Sequence, residues 1–392
     1  MPNDKINKQL SDEELLNKIG PDDDAPVDLP KQKRAPLKKL KKWFHNLTKK
    51  QRVALIAISF ILIVALALGL FFIFKGDKKI VIPTVKKTET KKVVKPTTEP
   101  GRLTGVAITP ELNQRGVVGI MIENSPDARP QSGLKDAGVV FEAIAEGGIT
   151  RFLTLYQEAQ PDYIGPVRSV RPYYLDWLQG FDAPIAHAGG SADALAKIRK
   201  ENIPDLDQFA NAGSYMRVNT RYAPHNLYTT MAKLDALRAA KGFTTSTFEG
   251  FARKAEAPVN TPTARSIDFN ISSFLYSPHY DYDPATNTYK RSQGGKPHTD
   301  ERSGLQIAPK VIIANVMSYG IASNGVNSNY NTIGSGKSYI FQDGTVTIGT
   351  WEKTGAKNQM VFKDASGKVI NLNPGQTWIS AVGSASAVSY KP

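Results

Sequence analysis

The sequence contains no cysteine. That excludes a disulfide-stapled scaffold, a thiol nucleophile and any zinc or iron–sulfur site held by thiolates. It also excludes anchoring through a lipid-modified cysteine. Histidine is scarce, with five in 392 residues. The four in the C-terminal three quarters, at 187, 225, 279 and 298, include no pair at helix spacing and no His-Glu-x-x-His. No structural metal and no cofactor are expected. No Gly-x-Ser-x-Gly elbow surrounds Ser191, so a serine–histidine nucleophile built on Ser191 and His187 lacks its usual turn. Gly334-Ser335-Gly336-Lys337-Ser338 imitates the end of a phosphate loop, but position 331, where that pattern needs glycine, is Asn.

Charge is plentiful but uneven. The formal net charge of +14 invites a nucleic-acid reading. Residues 1–100 carry 21 Lys and Arg against 11 Asp and Glu, whereas residues 101–392 carry 29 against 25. The longer part has no concentrated basic stretch, so no nucleic-acid partner is expected.

Residues 53–74 form the one long apolar run, 22 residues with a single serine and no charge. As a helix it would reach about 33 Å, enough to cross a bilayer core. A cleavable signal core is shorter and ends at small residues, so an uncleaved span is expected. Ten Lys and Arg in 31–52 against eight in 75–96 favour a cytoplasmic N-terminus. The reading is therefore a disordered tail with a basic juxtamembrane segment (1–52), a transmembrane helix (53–74) and a stalk (75–104) reaching on the order of 30 Å. The remainder lies outside the cytoplasmic membrane.

Beyond the stalk, short apolar runs at 117–122, 138–141, 151–156 and 184–187 read as strands. Helices are expected over 172–179, with Pro172 in the first turn and Gly180 after the end, over 192–200 behind Ser191, and over 229–241 before Gly242. This alternation predicts an α/β domain over 105–250. A linker over 251–274 and a smaller β-rich antiparallel domain over 275–390 follow. Asp343-Gly344 marks a hairpin between 338–342 and 345–351, within a meander that continues to 382.

The densest chemistry lies in 123–226. It runs Glu123-Asn124, Ala128-Arg129-Pro130-Gln131-Ser132-Gly133, Glu142, Glu146-Gly147-Gly148, Arg151, then Gly165-Pro166-Val167-Arg168-Ser169-Val170-Arg171-Pro172, His187-Ala188-Gly189-Gly190-Ser191 and Pro224-His225-Asn226. Gly294-Gly295-Lys296-Pro297-His298-Thr299-Asp300, Trp351 and Pro374-Gly375-Gln376-Thr377-Trp378 follow. In this order the motifs resemble the YerB-like DUF3048 family of bacterial envelope proteins, over roughly 105–390. The resemblance implies two extracytoplasmic domains and no established reaction. Many of those relatives look like lipoproteins, whereas this chain has an apolar run in place of a lipidated cysteine.

Arg168-Ser169-x-Arg171 before a helix is a candidate anion site, since helix N-termini offer free N–H groups and guanidiniums bind carboxylate or phosphate in pairs. The alternative is internal pairing with Glu142, Glu146 or Asp176. Gly189-Gly190-Ser191 is a second possible backbone nest at a strand-to-helix turn, against a plain turn with an N-cap. The candidate ligand-binding set is Arg129, Gln131, Arg151, Arg168, Ser169 and Arg171, with His187, Gly189, Gly190, Ser191, His225 and Asn226. His298 and Asp300 are the candidates in the C-terminal domain. Glu123, Glu142 and Glu146 are candidate acid–base carboxylates, against pairing with arginines. Tyr173, Tyr174, Trp177 and Phe181 form either a sugar shelf or core.

Three functions follow. The leading one is a membrane-held envelope protein that binds an anionic wall ligand or partner, such as peptidoglycan or its anionic polymers, in a groove of Arg168, Arg171 and the 187–191 turn. The second is an envelope hydrolase or transferase using one of the three glutamates. The third is a scaffold regulating wall-synthesis enzymes, which an exposed apolar patch on 338–382 would support.

Overall fold

Val118–Glu123 (β1) has six consecutive buried residues, the pattern of a strand covered on both faces. Val139–Glu146 (β2) and Ile149–Tyr156 (β3) form a hairpin through Gly147-Gly148, both at positive φ, as a tight two-residue turn demands. β3 pairs antiparallel with β1, and Ile185–Ala186 (β4) pairs parallel with the far side of β1. The computed structural model describes Thr48, Gln51 and residues 97–392. The apolar run 53–74, the tail and the stalk up to 96 lie outside the described residues. Among the described residues no helix is long and apolar enough to cross a membrane. Thr48 and Gln51, just before that run, make a reciprocal pair: the Thr48 N–H donates to Gln51 Oε1 at 3.0 Å and the Gln51 N–H to Thr48 Oγ1 at 3.4 Å, a helix-starting arrangement.

The end of the expected stalk is folded. Glu99–Pro100 pairs with Ala107–Ile108, and Leu103 is fully buried. An isolated leucine carries no periodicity, which is why it reads as tether in sequence. The expected linker is also structured, because Ser266–Phe269 (β5) alternates Ile267 and Phe269 inward with Asp268 outward. It joins Pro278–Asp283 (β6), Thr288–Gln293 (β7) and Lys296–Pro297 (β8) in an antiparallel sheet.

Val311–Val316 (β9), the hairpin of Gly334–Gln342 (β10) and Thr345–Lys353 (β11), and Val361–Lys363 (β12) form the expected antiparallel run, turning at Asp343-Gly344. Thr377–Val382 (β13) departs from a meander. It lies parallel between β9 and β2, with Trp378 opposite Val140 and Ser380 opposite Glu142. All six of its residues are buried, as suits an interior parallel strand. One nine-stranded sheet, β12-β11-β10-β9-β13-β2-β3-β1-β4, thus runs through both halves of the chain. Val388–Lys391 (β14) closes the second sheet beside β5. The whole is mostly strand with few helices.

The three longer helices among the described residues fall where expected, and a single unexpected turn spans Pro110–Asn113. Pro172–Gln179 (α1) carries Pro172 in its first turn, and its aromatic residues are core: Trp177 stacks on Phe141 at 5.2 Å, and Tyr173, Tyr174 and Phe181 are buried. Ala192–Glu201 (α2) starts at Ser191, whose hydroxyl makes no capping bond. Met231–Lys241 (α3) starts at Thr230, which accepts from the Lys233 N–H, and ends at Gly242 with φ +79°.

Candidate functional site

The three glutamates have three different fates. Glu142 points from β2 into the interior and is fully buried. Its Oε1 accepts from Arg291 Nη2 at 3.0 Å, and its Oε2 accepts from the Trp378 indole at 2.9 Å and Ser380 at 3.2 Å. The Arg291 guanidinium lies 4.4 Å from the Trp378 ring and donates through Nε to His298 Nδ1 at 2.9 Å. His298 Nε2 then donates to Gln131 Oε1 at 2.8 Å. Burial and the Arg291 charge hold the His298 pKa well below its usual value, so the ring is neutral and the donor pattern is consistent. Gln131 passes the chain on through Nε2 to the Glu123 carbonyl and Asn124 Oδ1. Glu142 is therefore the hub of a buried network and faces no cleft.

Glu146, at the end of β2, is clamped by Arg151 and Arg171, one guanidinium on each oxygen. Burial alone would raise its pKa, but the two arginines outweigh it and the net shift is downward. Arg151 also donates to the buried Ser169's carbonyl at 2.9 Å, and Arg171 to the Val170 carbonyl at 3.0 Å. Two of the four arginines in the candidate ligand-binding set, Arg151 and Arg171, thus hold an internal anion.

Glu123 ends β1 and differs. His225 Nδ1 sits 2.9 Å from its Oε1, the Ser125 hydroxyl donates to the same oxygen at 2.9 Å, and Arg168 Nε lies at 3.5 Å. The other oxygen, Oε2, is buried with no hydrogen-bond partner among the described residues. Burial pushes the Glu123 pKa up, yet the His225 hydrogen bond and the Arg168 charge bring it below the usual value, so it is a carboxylate near neutral pH. His225 and Arg168 keep 23% and 17% of their side-chain surface exposed. This is the point where buried carboxylate chemistry meets solvent. Arg221 fixes the loop carrying His225 by donating to the Asp127 and Pro130 carbonyls at 3.0 and 2.6 Å. Tyr222, in the same loop, is 91% exposed.

The 187–191 turn is satisfied from within except at the Ser191 hydroxyl, which is buried with no hydrogen-bond partner among the described residues. His187 is buried, with Nδ1 2.7 Å from the Gly189 carbonyl and Nε2 3.0 Å from Asp205. The Gly189 N–H already donates to the Asp207 carboxylate at 2.9 Å, so the chain's own anion fills the nest. The Gly190 backbone bridges Val170, and the Ser191 N–H donates to the Val170 carbonyl at 3.3 Å. Asn226 closes a small hairpin through Val218 and Arg217. Arg129 reaches back to Asn124 through Nε and Nη2 at 3.1 and 2.8 Å and lies over the Tyr276 ring; burial lowers its pKa to about 10.

His298 and Asp300 form a latch between the halves. Asp300 accepts from the Gly133 N–H at 2.7 Å and from the N–H groups of Arg302 and Ser303. Glu301 beside it accepts from Ser132 at 2.6 Å. Among the described residues no cluster of three His, Asp or Glu side chains is placed to hold a metal ion.

The structure brings the Glu123, Arg168 and His225 side chains together; the Glu146 clamp and the 187–191 turn adjoin them, since the Arg168 charge also lowers the Glu146 pKa and the Ala188 N–H donates to the Arg168 carbonyl at 3.1 Å. Sequence reasoning missed Ser125, Arg221 and Arg291. Ser125 lies two residues from Glu123 at a strand end, a place where side chains reach a site. Nothing local marks Arg291.

The chain matches the family model for the N-terminal domain of a protein of unknown function (DUF3048) over residues 103–244, and the model for its C-terminal domain over 267–379. It is 30% identical to the Bacillus subtilis protein named "Putative lipoprotein YerB", over 73% of this chain and 87% of that protein. The crystal structure of YerB from Bacillus subtilis is similar at a TM-score of 0.68 and 29% identity, covering 74% of this chain and 99% of the crystallised one. With both domain models matched in order and most of that relative's length covered, this chain belongs to the DUF3048 family.

Proposed function

We propose that this is a membrane-anchored extracytoplasmic envelope protein that binds an anionic, hydroxyl-bearing wall polymer at Glu123, Arg168 and His225. The apolar run 53–74 and the lipoprotein name of the Bacillus subtilis relative support the location. The observation that carries the binding reading is the unpartnered Oε2 of buried Glu123, at the point where the Arg168 and His225 side chains keep 17% and 23% of their surface exposed. A buried carboxylate oxygen lacking a donor is costly, and a ligand hydroxyl satisfies it. A phosphate or carboxylate on the same ligand meets the Arg168 guanidinium.

The test is co-sedimentation of the full chain, in detergent, with purified bacterial walls before and after chemical removal of their anionic polymers. Binding to intact walls, lost on stripping and in Arg168→Ala, is the expected result. Equal sedimentation of Arg168→Ala and the parent protein overturns it.

One geometry favours a second reading. His225 turns Nδ1 toward Glu123 and leaves Nε2 on the half-exposed side, 3.9 Å from Asp127 Oδ2. A carboxylate-oriented imidazole of this kind is a general base. Release of soluble wall fragments that stops in Glu123→Gln and His225→Asn would make the protein a hydrolase. The scaffold reading has less support, because the exposed large apolar side chains within 338–382 are two, Ile348 and Val369.

A further inference from the structure

The second sheet carries an open concavity of about 420 Å³, within the size range of small-ligand sites. Its floor is apolar, made by the buried Phe269 and Pro278, and Phe274 stands on the rim with 69% of its surface exposed. Asp268, Asn270, His279 and Ser292 supply polar groups around that floor. None of these residues belongs to the Glu123 cluster.

The polar groups are held in place. His279 Nδ1 lies 2.7 Å from Asp268 and Nε2 3.2 Å from Asp281, so the ring is fixed across neighbouring strands. Gln293 in the wall is pinned between Arg291 Nη2, at 3.0 Å, and the Leu275 carbonyl, at 3.2 Å. Phe274 begins a single 3-10 turn, and its ring lies against Gly295, where an added Cβ would come within 3.2 Å of it at φ +72°. The glycine lets the ring close over the hairpin end.

This combination selects its ligand. A purely apolar molecule would strip water from the exposed Asp268 carboxylate and from Asn270 and Ser292, which costs free energy. An anion would meet the carboxylates of Asp268 and Asp281. A sugar ring offers a flat C–H face to Phe274 and hydroxyls to the Asp268 carboxylate, the Asn270 amide and the Ser292 hydroxyl. An N-acetyl methyl group suits the Phe269 and Pro278 floor. We infer that this concavity is a second ligand site, which takes a neutral N-acetylated pyranose of a glycan chain independently of the Glu123 cluster.

The probe is the N-acetylglucosamine tetramer, added to the full chain in deuterated detergent and followed by saturation-transfer NMR. Transfer concentrated on the N-acetyl methyl and the ring C–H protons is expected. Phe274→Ala should reduce it at least fivefold, and Asp268→Asn should weaken it. Both side chains are exposed, so both variants should retain the parent's circular dichroism. Arg168→Ala should leave the transfer unchanged, which separates this site from the anionic one. Absence of transfer to the tetramer, equal transfer in Phe274→Ala, or loss in Arg168→Ala would each overturn the inference.

Discussion

Glu142 and Arg291 stand 149 positions apart in the chain and meet at 3.0 Å with both side chains fully buried. β2 presents the acid and β7 the base. The pair therefore ties the nine-stranded sheet to the five-stranded one, with Trp378 from β13 completing the carboxylate's shell.

Removing one partner should leave an uncompensated interior charge. Arg291→Met is expected to cost about 3–5 kcal/mol of stability. The double variant with Glu142→Gln should cost less than the two single changes added together. Urea unfolding of the full chain, read by circular dichroism, measures both.

Arg168 and Arg171 should separate function from stability. Arg168→Ala is expected to weaken wall-polymer binding about tenfold or more and to cost less stability than Arg171→Ala, because His225 and Ser125 still hold the buried Glu123 carboxylate. Arg171→Ala exposes one side of the Glu146 clamp and should destabilise by about 3 kcal/mol. Parallel sedimentation and unfolding measurements on the two variants give the contrast, and a matching stability loss in both would refute it.

Acid should undo the clamp. The Glu146 pKa lies below its ordinary value of 4.5 because Arg151 and Arg171 overcome the effect of burial. A group whose folded pKa is depressed contributes stability that is fully present above the unfolded value and is lost as pH falls through the folded one. Stability should therefore drop below about pH 4.5, and Glu146→Gln should flatten that drop. An unchanged acid slope in the variant would show that other carboxylates carry it.

Two histidines should titrate on opposite sides of the ordinary value of 6.5. Burial and Arg291 push His298 well down. For His279 burial acts downward, but Asp268 and Asp281 outweigh it and the net shift is upward. The His279 contribution to stability is complete below 6.5 and lost as pH rises through its folded pKa. The neutral His298 instead lowers stability as pH falls below 6.5, where the unfolded chain takes up the proton first. Imidazole NMR of the full chain, with five histidines to assign, should show the His279 midpoint above 6.5 and the His298 midpoint far below it.

Much of the local structure is readable residue by residue. Pro172 and Gly180 bracket α1, Thr230 and Gly242 bracket α3, and the apolar run at 117–122 is a buried strand. These signals work because helix ends and two-sided burial leave their mark within a few residues. The folded end at 99–104 and the strand at 266–269 escaped because each anchors through only one or two apolar side chains, too few to make a period.

The candidate site was legible as a list of residue types, and its partition was not. Sequence alone determined the absence of thiol chemistry, the uncharged run at 53–74, the kinds of elements beyond it and the crowding of arginines and glutamates between 123 and 171. Only the tertiary structure decided that Glu146 takes Arg151 and Arg171, that Glu142 takes Arg291, that Asp207 fills the Gly189 nest and that Glu123 keeps one buried oxygen without a hydrogen-bond partner. The reason is physical. Element type follows from short-range sterics and periodic burial, whereas an ion pair depends on separation and surrounding dielectric, and both are set by which strands the sheet makes neighbours.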